Sequence, residues 1–194
     1  MRIRFVTTNP GKFREVSALL APAGVEFERV DRRYPEVQAD RLEDVLAFAA
    51  GQLGREVEPP WLIDDSGLFV EALDGFPGVY SSYVYRTIGP RGVLRLLRGA
   101  ASRAARFKTA FLFHDGAAAH AFGGACEGAI ARTERGSGGF GFDPIFIPAG
   151  SRRTFGEMSL QEKNRVSHRA RAALALAKHL ADGTRRAPRG RGRA

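Results

Sequence analysis

The sequence predicts an α/β fold on three observations. Short apolar runs alternate with segments whose apolar residues recur at helical spacing, beginning with a strand at residues 2–7 and a helix at residues 13–20. A hairpin is predicted at residues 106–126, around the strong turn signal Asp115-Gly116. The 194 residues, of which 44% are hydrophobic, suit one globular domain with an ample core or two small lobes.

The other elements follow from the same patterns. They are a strand at residues 25–30, a helix at 42–53, a strand at 61–63, a helix at 89–97, an extended segment at 145–147 and a last helix that opens at 167–169. Gly54 is a suitable end for the second helix, and Ser167 is a suitable N-cap for the last one.

The charge is unevenly distributed along the chain. The formal net charge is +9, and five arginines with no acidic residue follow Gly183. We therefore predict a single domain at residues 1–183 and a basic, disordered tail at 184–194. Phosphate attraction would allow this tail to contact RNA, but the favoured interpretation is a solvated end without a dedicated role.

The sequence gives no indication of a membrane or a disulfide. No apolar run approaches the roughly 18 residues that a membrane span needs, and the N-terminus lacks the layout of a signal peptide. Cys126 is the single cysteine, which excludes an intrachain disulfide and fits a reducing compartment. We therefore expect a cytoplasmic protein.

Two adjacent carboxylates, Asp64 and Asp65, follow the apolar run at residues 61–63 and precede Ser66 and Gly67. Neighbouring side chains on a strand point to opposite faces. One carboxylate should therefore project into a crevice at the carboxyl end of the strand, where α/β sheets bind ligands. An acid in such a crevice suits Mg²⁺. The alternative is an ordinary turn.

A loop of polar and turn-forming residues connects the first strand to the first helix. Its residues are Thr7, Thr8, Asn9, Pro10, Gly11 and Lys12. Unpaired N–H groups at a helix start, together with the lysine charge, would attract phosphate. The glycine spacing and Phe13 exclude a Walker A loop, and an ordinary strand-to-helix turn is the alternative.

A glycine-rich segment at residues 136–144 satisfies G-x-G-x-x-G, but Pro144 and the extended segment after it argue against a dinucleotide fold. Backbone at glycine can approach a flat ligand while Phe140 or Phe142 stacks on it. The alternative is a hairpin whose phenylalanines belong to the core.

The last helix carries His168 and Arg169 in its first turn. Cations there oppose the helix dipole, at about 0.3–1 kcal/mol each. A local rule broken without an evident gain is typical of a functional site, and an anionic ligand would turn the cost into binding. Alternatively, both side chains reach solvent or a surface carboxylate.

Five motifs in order resemble the inosine triphosphate pyrophosphatase family, the purine nucleoside triphosphate diphosphatases that clear deaminated nucleotides. They are residues 7–12, Pro35-Glu36, Asp64-Asp65-Ser66-Gly67, residues 139–144 and residues 162–169. The resemblance covers residues 2–180, and the stretches at 34–40 and 70–78 look most like archaeal-type members.

The resemblance implies an elongated α/β fold with a long twisted mixed β-sheet flanked by helices, and two lobes with a central active-site groove. It also implies a homodimer, a Mg²⁺ cofactor and hydrolysis of nucleoside triphosphates, namely ITP, XTP and dITP, to monophosphate and pyrophosphate. By match, Glu36 and Asp65 hold the metal and Asp65 is the proton acceptor. The matching substrate-binding residues are Thr7, Thr8, Asn9, Pro10, Gly11, Lys12, Ser66, Phe140, Gly141, Phe142, Asp143, Lys163, His168 and Arg169.

Three positions depart from the family pattern. Phe48 stands near a usual lysine, Asp64 is shorter than the frequent Glu and would reach the metal only through water, and Phe142 replaces a Tyr or Trp. We expect Arg169, or a backbone N–H of the glycine loop, to select the 6-oxo group of the purine. Open alternatives are a pyrophosphatase for other modified nucleotides and a basic RNA-associated binding protein.

Overall fold

The computed structural model describes residues 1–35 and 37–186. The predicted metal ligand Glu36 and residues 187–194 of the predicted tail lie outside the described residues. The last helix runs to Arg186, which is past the domain boundary predicted at residue 183.

The described residues form seven strands and six helices, which confirms the α/β class. The strands are β1 (Arg2–Val6), β2 (Glu26–Val30), β3 (Trp61–Val70), β4 (Pro77–Gly78), β5 (Ala104–His114), β6 (Ala119–Ile130) and β7 (Phe146–Pro148). The helices are α1 (Pro10–Leu20), α2 (Leu42–Leu53), α3 (Ser81–Thr87), α4 (Gly89–Leu96), α5 (Leu160–Val166) and α6 (His168–Arg186).

The strands form one mixed sheet in the order β2-β1-β3-β5-β6-β7, and the short β4 pairs with β3. β1 is parallel to both β2 and β3, whereas the remaining pairings are antiparallel. Only the start of β3 pairs with β1, so β3 continues beyond the carboxyl end of its neighbour. A crevice opens where β1 stops.

The middle of β3 differs from the prediction. We expected a short strand that ends at the acidic pair, with a turn there as the alternative, but the strand continues to Val70. Each residue from Trp61 to Val70 pairs with a residue of β5, and this long antiparallel ladder outweighs the local turn preference of Asp, Ser and Gly. Gly67 is required there because a Cβ would lie 2.2 Å from the Gly78 carbonyl oxygen.

Three apolar clusters build the two lobes, and β3 contributes to all of them. Leu62 packs with α1 and α6 on one face of the sheet, and Ile63 packs under α2 on the other face. Leu68 belongs to a third cluster, which includes Val93 of α4 and Phe107 of β5. One strand therefore connects both lobes and crosses the crevice between them.

The start of α6 lies directly on the backbone of β6. A Cβ at Gly124 would come within 2.1 Å of the His168 carbonyl oxygen and 2.8 Å of the Ala172 backbone nitrogen. The helix packs on the sheet through Ala172, Ala173 and Leu176, which are buried. In the described ranges, no helix has the length and apolarity needed to cross a membrane.

Candidate active site

A cavity of about 580 Å³ lies in the crevice between the lobes. It brings together twelve of the residues that the sequence singled out. These are Thr7, Thr8, Asn9, Lys12, Asp65, Ser66, Phe140, Gly141, Phe142, Asp143, His168 and Arg169. Pro10, Gly11 and Lys163 do not line it.

Other lining residues carry no sequence signal that marks them. They include Arg33 after β2 and a face of α3, where Arg86 donates a hydrogen bond of 2.7 Å to Ser82 Oγ and Tyr85 meets the Phe142 ring edge-on at 5.8 Å. α3 reaches the cavity only because β4 folds back onto β3, a non-local pairing that no local pattern reveals.

The first loop is held by Asn9, which caps α1. Its Oδ1 accepts hydrogen bonds from the backbone N–H groups of Gly11 (2.8 Å) and Lys12 (3.1 Å). These two donors, expected to be open to phosphate, are therefore already satisfied. The loop presents the exposed Thr8 and the partly buried Lys12 ammonium to the cavity.

Gly11 brings the first loop against the glycine-rich loop. A Cβ at this position would lie 2.4 Å from a carbon of the Phe140 ring. The absence of a side chain therefore allows Phe140 to lie over the start of α1, although Gly11 itself does not line the cavity.

The two adjacent acids have different environments, as the strand geometry predicts. Asp65 is half-buried and lines the cavity, whereas Asp64 is 1% exposed. Lys12 Nζ lies 3.3 Å from Asp64 Oδ1, and Arg169 Nε lies 3.4 Å from Asp64 Oδ2. The protein partners of Asp64 are thus two cations.

Asp65 is oriented by its neighbours on β3 and β5. Its Oδ1 accepts from the Ser66 backbone N–H at 2.7 Å, and its carbonyl accepts from Thr109 Oγ1 at 2.9 Å. The hydroxyls of Ser66 and Thr109 are 2.7 Å apart, and Arg169 Nη2 donates to Ser66 Oγ at 3.2 Å. This network presents the Asp65 carboxylate to the cavity from a rigid strand.

A buried ion network lies behind the cavity wall, and its members are at most 3% exposed. Lys163 Nζ contacts Glu15 Oε1 at 2.5 Å and Asp143 Oδ2 at 2.6 Å. Arg169 Nη1 contacts Glu15 Oε2 at 3.0 Å. Lys163, expected to neutralise phosphate, is thus already matched by two carboxylates. Glu15 bridges both cations. It was not predicted as a site residue, because its partners are distant in the chain.

The network also orients the glycine-rich loop. Asp143 Oδ2 accepts from the Phe140 backbone N–H at 2.8 Å. Burial raises the pKa of Asp143, and the nearby Lys163 charge opposes that rise. Burial would lower the pKa of Arg169, but the charges of Glu15 and Asp64 outweigh this effect and the net pKa is raised. Arg169 therefore stays charged.

The two aromatic residues of the glycine-rich loop serve different surfaces. Phe140 is half-buried, and its ring faces the Lys163 ammonium at 4.9 Å and the Arg169 guanidinium at 5.0 Å. Phe142 is buried in the third apolar cluster while it also lines the cavity. The alternative prediction, that the phenylalanines belong to the core, therefore describes most of the Phe142 side chain. Phe140 is the ring better placed to stack on a ligand.

His168 is a buried imidazole on the cavity wall. It is 1% exposed, and its ring stacks on Phe107 at 4.8 Å. Within the described part of the chain neither ring nitrogen has a hydrogen-bond partner. Burial, followed by the charges of Arg169, Lys163 and Lys12, holds the pKa well below 6.5.

Two expectations about the first turn of α6 therefore change. His168 is neutral at pH 7 and does not oppose the helix dipole, and the Arg169 charge is met by protein carboxylates instead of an anionic ligand. Neither side chain reaches solvent. The unpartnered imidazole is available to a ligand, because buried polar groups in proteins are almost always hydrogen-bonded.

The neutral imidazole predicts a stability change with pH. Below about pH 6.5 the unfolded chain binds a proton at His168 that the folded state does not, so stability is lost as pH falls. We expect the free energy of unfolding to fall by about 1.4 kcal/mol per pH unit more steeply in the wild type than in His168→Phe. Denaturant titrations of both proteins from pH 8 to pH 5 measure this, and parallel curves would contradict it.

The donor set is compatible with a hard divalent cation. Asp65 places a carboxylate on the cavity wall beside hydroxyl groups, and Mg²⁺ typically takes one or two carboxylates together with substrate phosphates. Among residues 1–35 and 37–186 no cluster of three metal-binding side chains occurs.

Comparisons with known proteins agree with this geometry. A chain from Thermococcus kodakarensis named dITP/XTP pyrophosphatase is 54% identical over 180 residues, covering 93% of this chain and 97% of the relative. One of the same name from Pyrococcus horikoshii is 51% identical, covering 91% and 95%. The Coxiella burnetii HAM1 structure has a TM-score of 0.78 at 32% identity, covering 94% of this chain and 99% of that one.

The fold is shared more widely than the sequence. The Staphylococcus aureus Ham1 protein has a TM-score of 0.80 at 24% identity, covering 94% of this chain and all of that one. The family resemblance found in the sequence is thereby confirmed. Residues 3–179 match the family model described as the Ham1 family, and the chain belongs to that family.

Proposed function

We propose that the protein hydrolyses the deaminated purine nucleoside triphosphates ITP, dITP and XTP to monophosphate and pyrophosphate. Relatives named dITP/XTP pyrophosphatase match over most of both chains. The observation that carries the proposal is the neutral, unpartnered His168 on the wall of a cavity that also holds Phe140 and Lys12. An aromatic face, a neutral polar ring and a cation suit a purine attached to phosphates.

The base is selected by hydrogen-bond donors. A guanidinium has five N–H donors, and three nitrogen atoms of Arg169 already donate to Glu15, Asp64 and Ser66. A remaining N–H can pair with the 6-oxo group of hypoxanthine or xanthine but not with the 6-amino group of adenine. A buried donor left unpaired is what makes such a site discriminate strongly.

The phosphates are held by the first loop. Lys12 Nζ is fixed by the Asp64 carbonyl at 3.2 Å as well as by the Asp64 carboxylate. Its charge and the hydroxyls of Thr7 and Thr8 line the cavity beside the start of α1, where the helix dipole favours an anion. The triphosphate is therefore placed against the first loop, beside Lys12.

Water attacks the α-phosphorus in this arrangement. Asp65 orients the water and accepts its proton as the new P–O bond forms, and the bond from the α-phosphorus to the bridging oxygen breaks to release pyrophosphate. A carboxylate is a weak base near neutral pH, so its fixed position on β3 matters more than its basicity. A Mg²⁺ ion held by Asp65 and Glu36 would supply positive charge for the leaving pyrophosphate.

Pyrophosphate release from ITP, XTP, dITP, GTP and ATP, with and without Mg²⁺, tests this function. We expect kcat/KM for ITP to exceed that for ATP by at least about 100-fold, because ATP leaves the Arg169 donor unpaired, and we expect turnover to require the divalent ion. Comparable values for ITP and ATP would reject the base-selection mechanism, and turnover in EDTA would reject the role of Mg²⁺.

The resemblance to the family also supports a homodimer in the cytoplasm and a single domain at residues 1–183. Light scattering coupled to size exclusion tests the dimer directly. The RNA-associated alternative rested on arginines after Gly183, and most of these lie outside the described residues.

A further inference from the structure

A second concave site lies at the far end of the second lobe. This arginine cleft, of about 710 Å³, is formed by α4, the segment after it and the residues that follow β6. Five arginines line it: Arg91, Arg95, Arg98, Arg103 and Arg132. No residue lines both this cleft and the active-site cavity.

The cleft has a large excess of positive charge. Glu134 is the single acid in its lining, and this carboxylate is already paired with Arg91 Nε at 3.0 Å. Arg95, Arg98 and Arg132 are exposed and make no ion pair within the described ranges. The remaining excess of cationic groups therefore faces the open cleft.

Arg103 gives the cleft a fixed shape. Its guanidinium donates to three backbone carbonyls, at 3.0 Å to Leu97, 2.8 Å to Ile130 and 2.7 Å to Ala131. These bonds connect the end of α4 to the end of β6 and so fix the distance between the two walls of the cleft. All three acceptors are neutral, which leaves the Arg103 charge uncompensated.

The electrostatics of Arg103 agree with this excess. Burial, and then the charge of Arg132, lower the pKa of Arg103. Nearby cations thus repel one another in the folded protein, and an anion bound between them would relieve the repulsion.

We propose that the arginine cleft binds the phosphate backbone of duplex nucleic acid without regard to base sequence. Guanidinium groups pair well with phosphate oxygens. The other lining residues are Leu94, Leu97, Gly99, Ala100 and Thr133. None of them is aromatic, so the cleft offers no platform on which single-stranded bases could stack. Contacts limited to phosphate hold a duplex but do not read its sequence.

Binding of a fluorescein-labelled DNA duplex to the full chain, measured by anisotropy over a range of salt concentrations, tests the proposal. The triple variant Arg95→Gln, Arg98→Gln, Arg132→Gln keeps Arg103 and the Arg91–Glu134 pair. We expect it to bind at least about tenfold more weakly at about 50 mM salt, and the slope of log K against log salt to fall by about three.

A matched triple variant controls for net charge and for the basic C-terminus. Arg2→Gln, Arg55→Gln, Arg171→Gln removes three exposed arginines outside the cleft and should bind like the wild type. Equal losses in the two variants would overturn the proposal, and so would displacement of the duplex by inorganic tripolyphosphate at equal phosphate concentration. Pyrophosphate release should be unchanged in both variants, and the binding result stands whether or not hydrolysis is observed.

Discussion

Asp65→Asn should lower kcat for ITP by about 10²–10⁴-fold, the range for loss of a positioned general base. The amide has nearly the same shape and can still accept the Ser66 N–H at Oδ1, but it cannot take the proton from water. Because Asp65 is only half-buried and the amide keeps its shape, the midpoint of thermal unfolding should change little. Steady-state pyrophosphate release and a melting curve measure the two quantities.

Asp182→Asn is the matched control for this variant. Asp182 is exposed on α6 and does not line the cavity, so the same chemical change there should leave kcat at the wild-type value. Near-normal turnover in Asp65→Asn would show that another group accepts the proton.

Lys163→Met should lower the free energy of unfolding by about 3–5 kcal/mol, the usual cost of removing one partner from a buried ion network. The change leaves Glu15 and Asp143 buried with less cationic compensation, although Arg169 still contacts Glu15. The glycine-rich loop is also affected, because Lys163 no longer contacts Asp143. KM for ITP should therefore rise, and the free energy of unfolding is measured separately. Urea titration gives the free energy.

Arg153→Met tests the same chemistry on the surface. Arg153 pairs with Glu162 at 2.6 Å, but both side chains are substantially exposed, and pairs of this kind contribute little. Its urea midpoint should stay close to that of the wild type. If the two variants were equally stable, the Lys163 cluster would be a solvent-relaxed group of charges and not a buried network.

The strand and helix types were predictable because their apolar spacing is local. The length of β3 was not, because each residue from Asp64 to Gly67 has turn preference by itself and becomes extended only through its partner on β5. The site residues of α3 were not predictable for a similar reason. Arg86 and Tyr85 line the cavity because β4, which precedes α3, pairs with β3.

The residue types at the site were predictable, but the pairing of their charges was not. Sequence order gives no sign that Glu15 of α1 meets Lys163 and Arg169, which lie 148 and 154 residues further along the chain. For this reason Lys163 was predicted to contact the substrate, whereas the structure places it behind Phe140. The roles of Asp65 and of Glu36 in holding a metal stay predictions.

Gly124 sets how closely α6 approaches β6, and this packing positions the two residues proposed to contact the purine. Any larger side chain on that strand would lift the first turn of the terminal helix, and the imidazole and guanidinium would withdraw together. If Arg169 selects the base as proposed, selectivity would depend on a position that does not line the cavity. Gly124→Val should therefore blur the distinction between oxo and amino bases before it abolishes turnover.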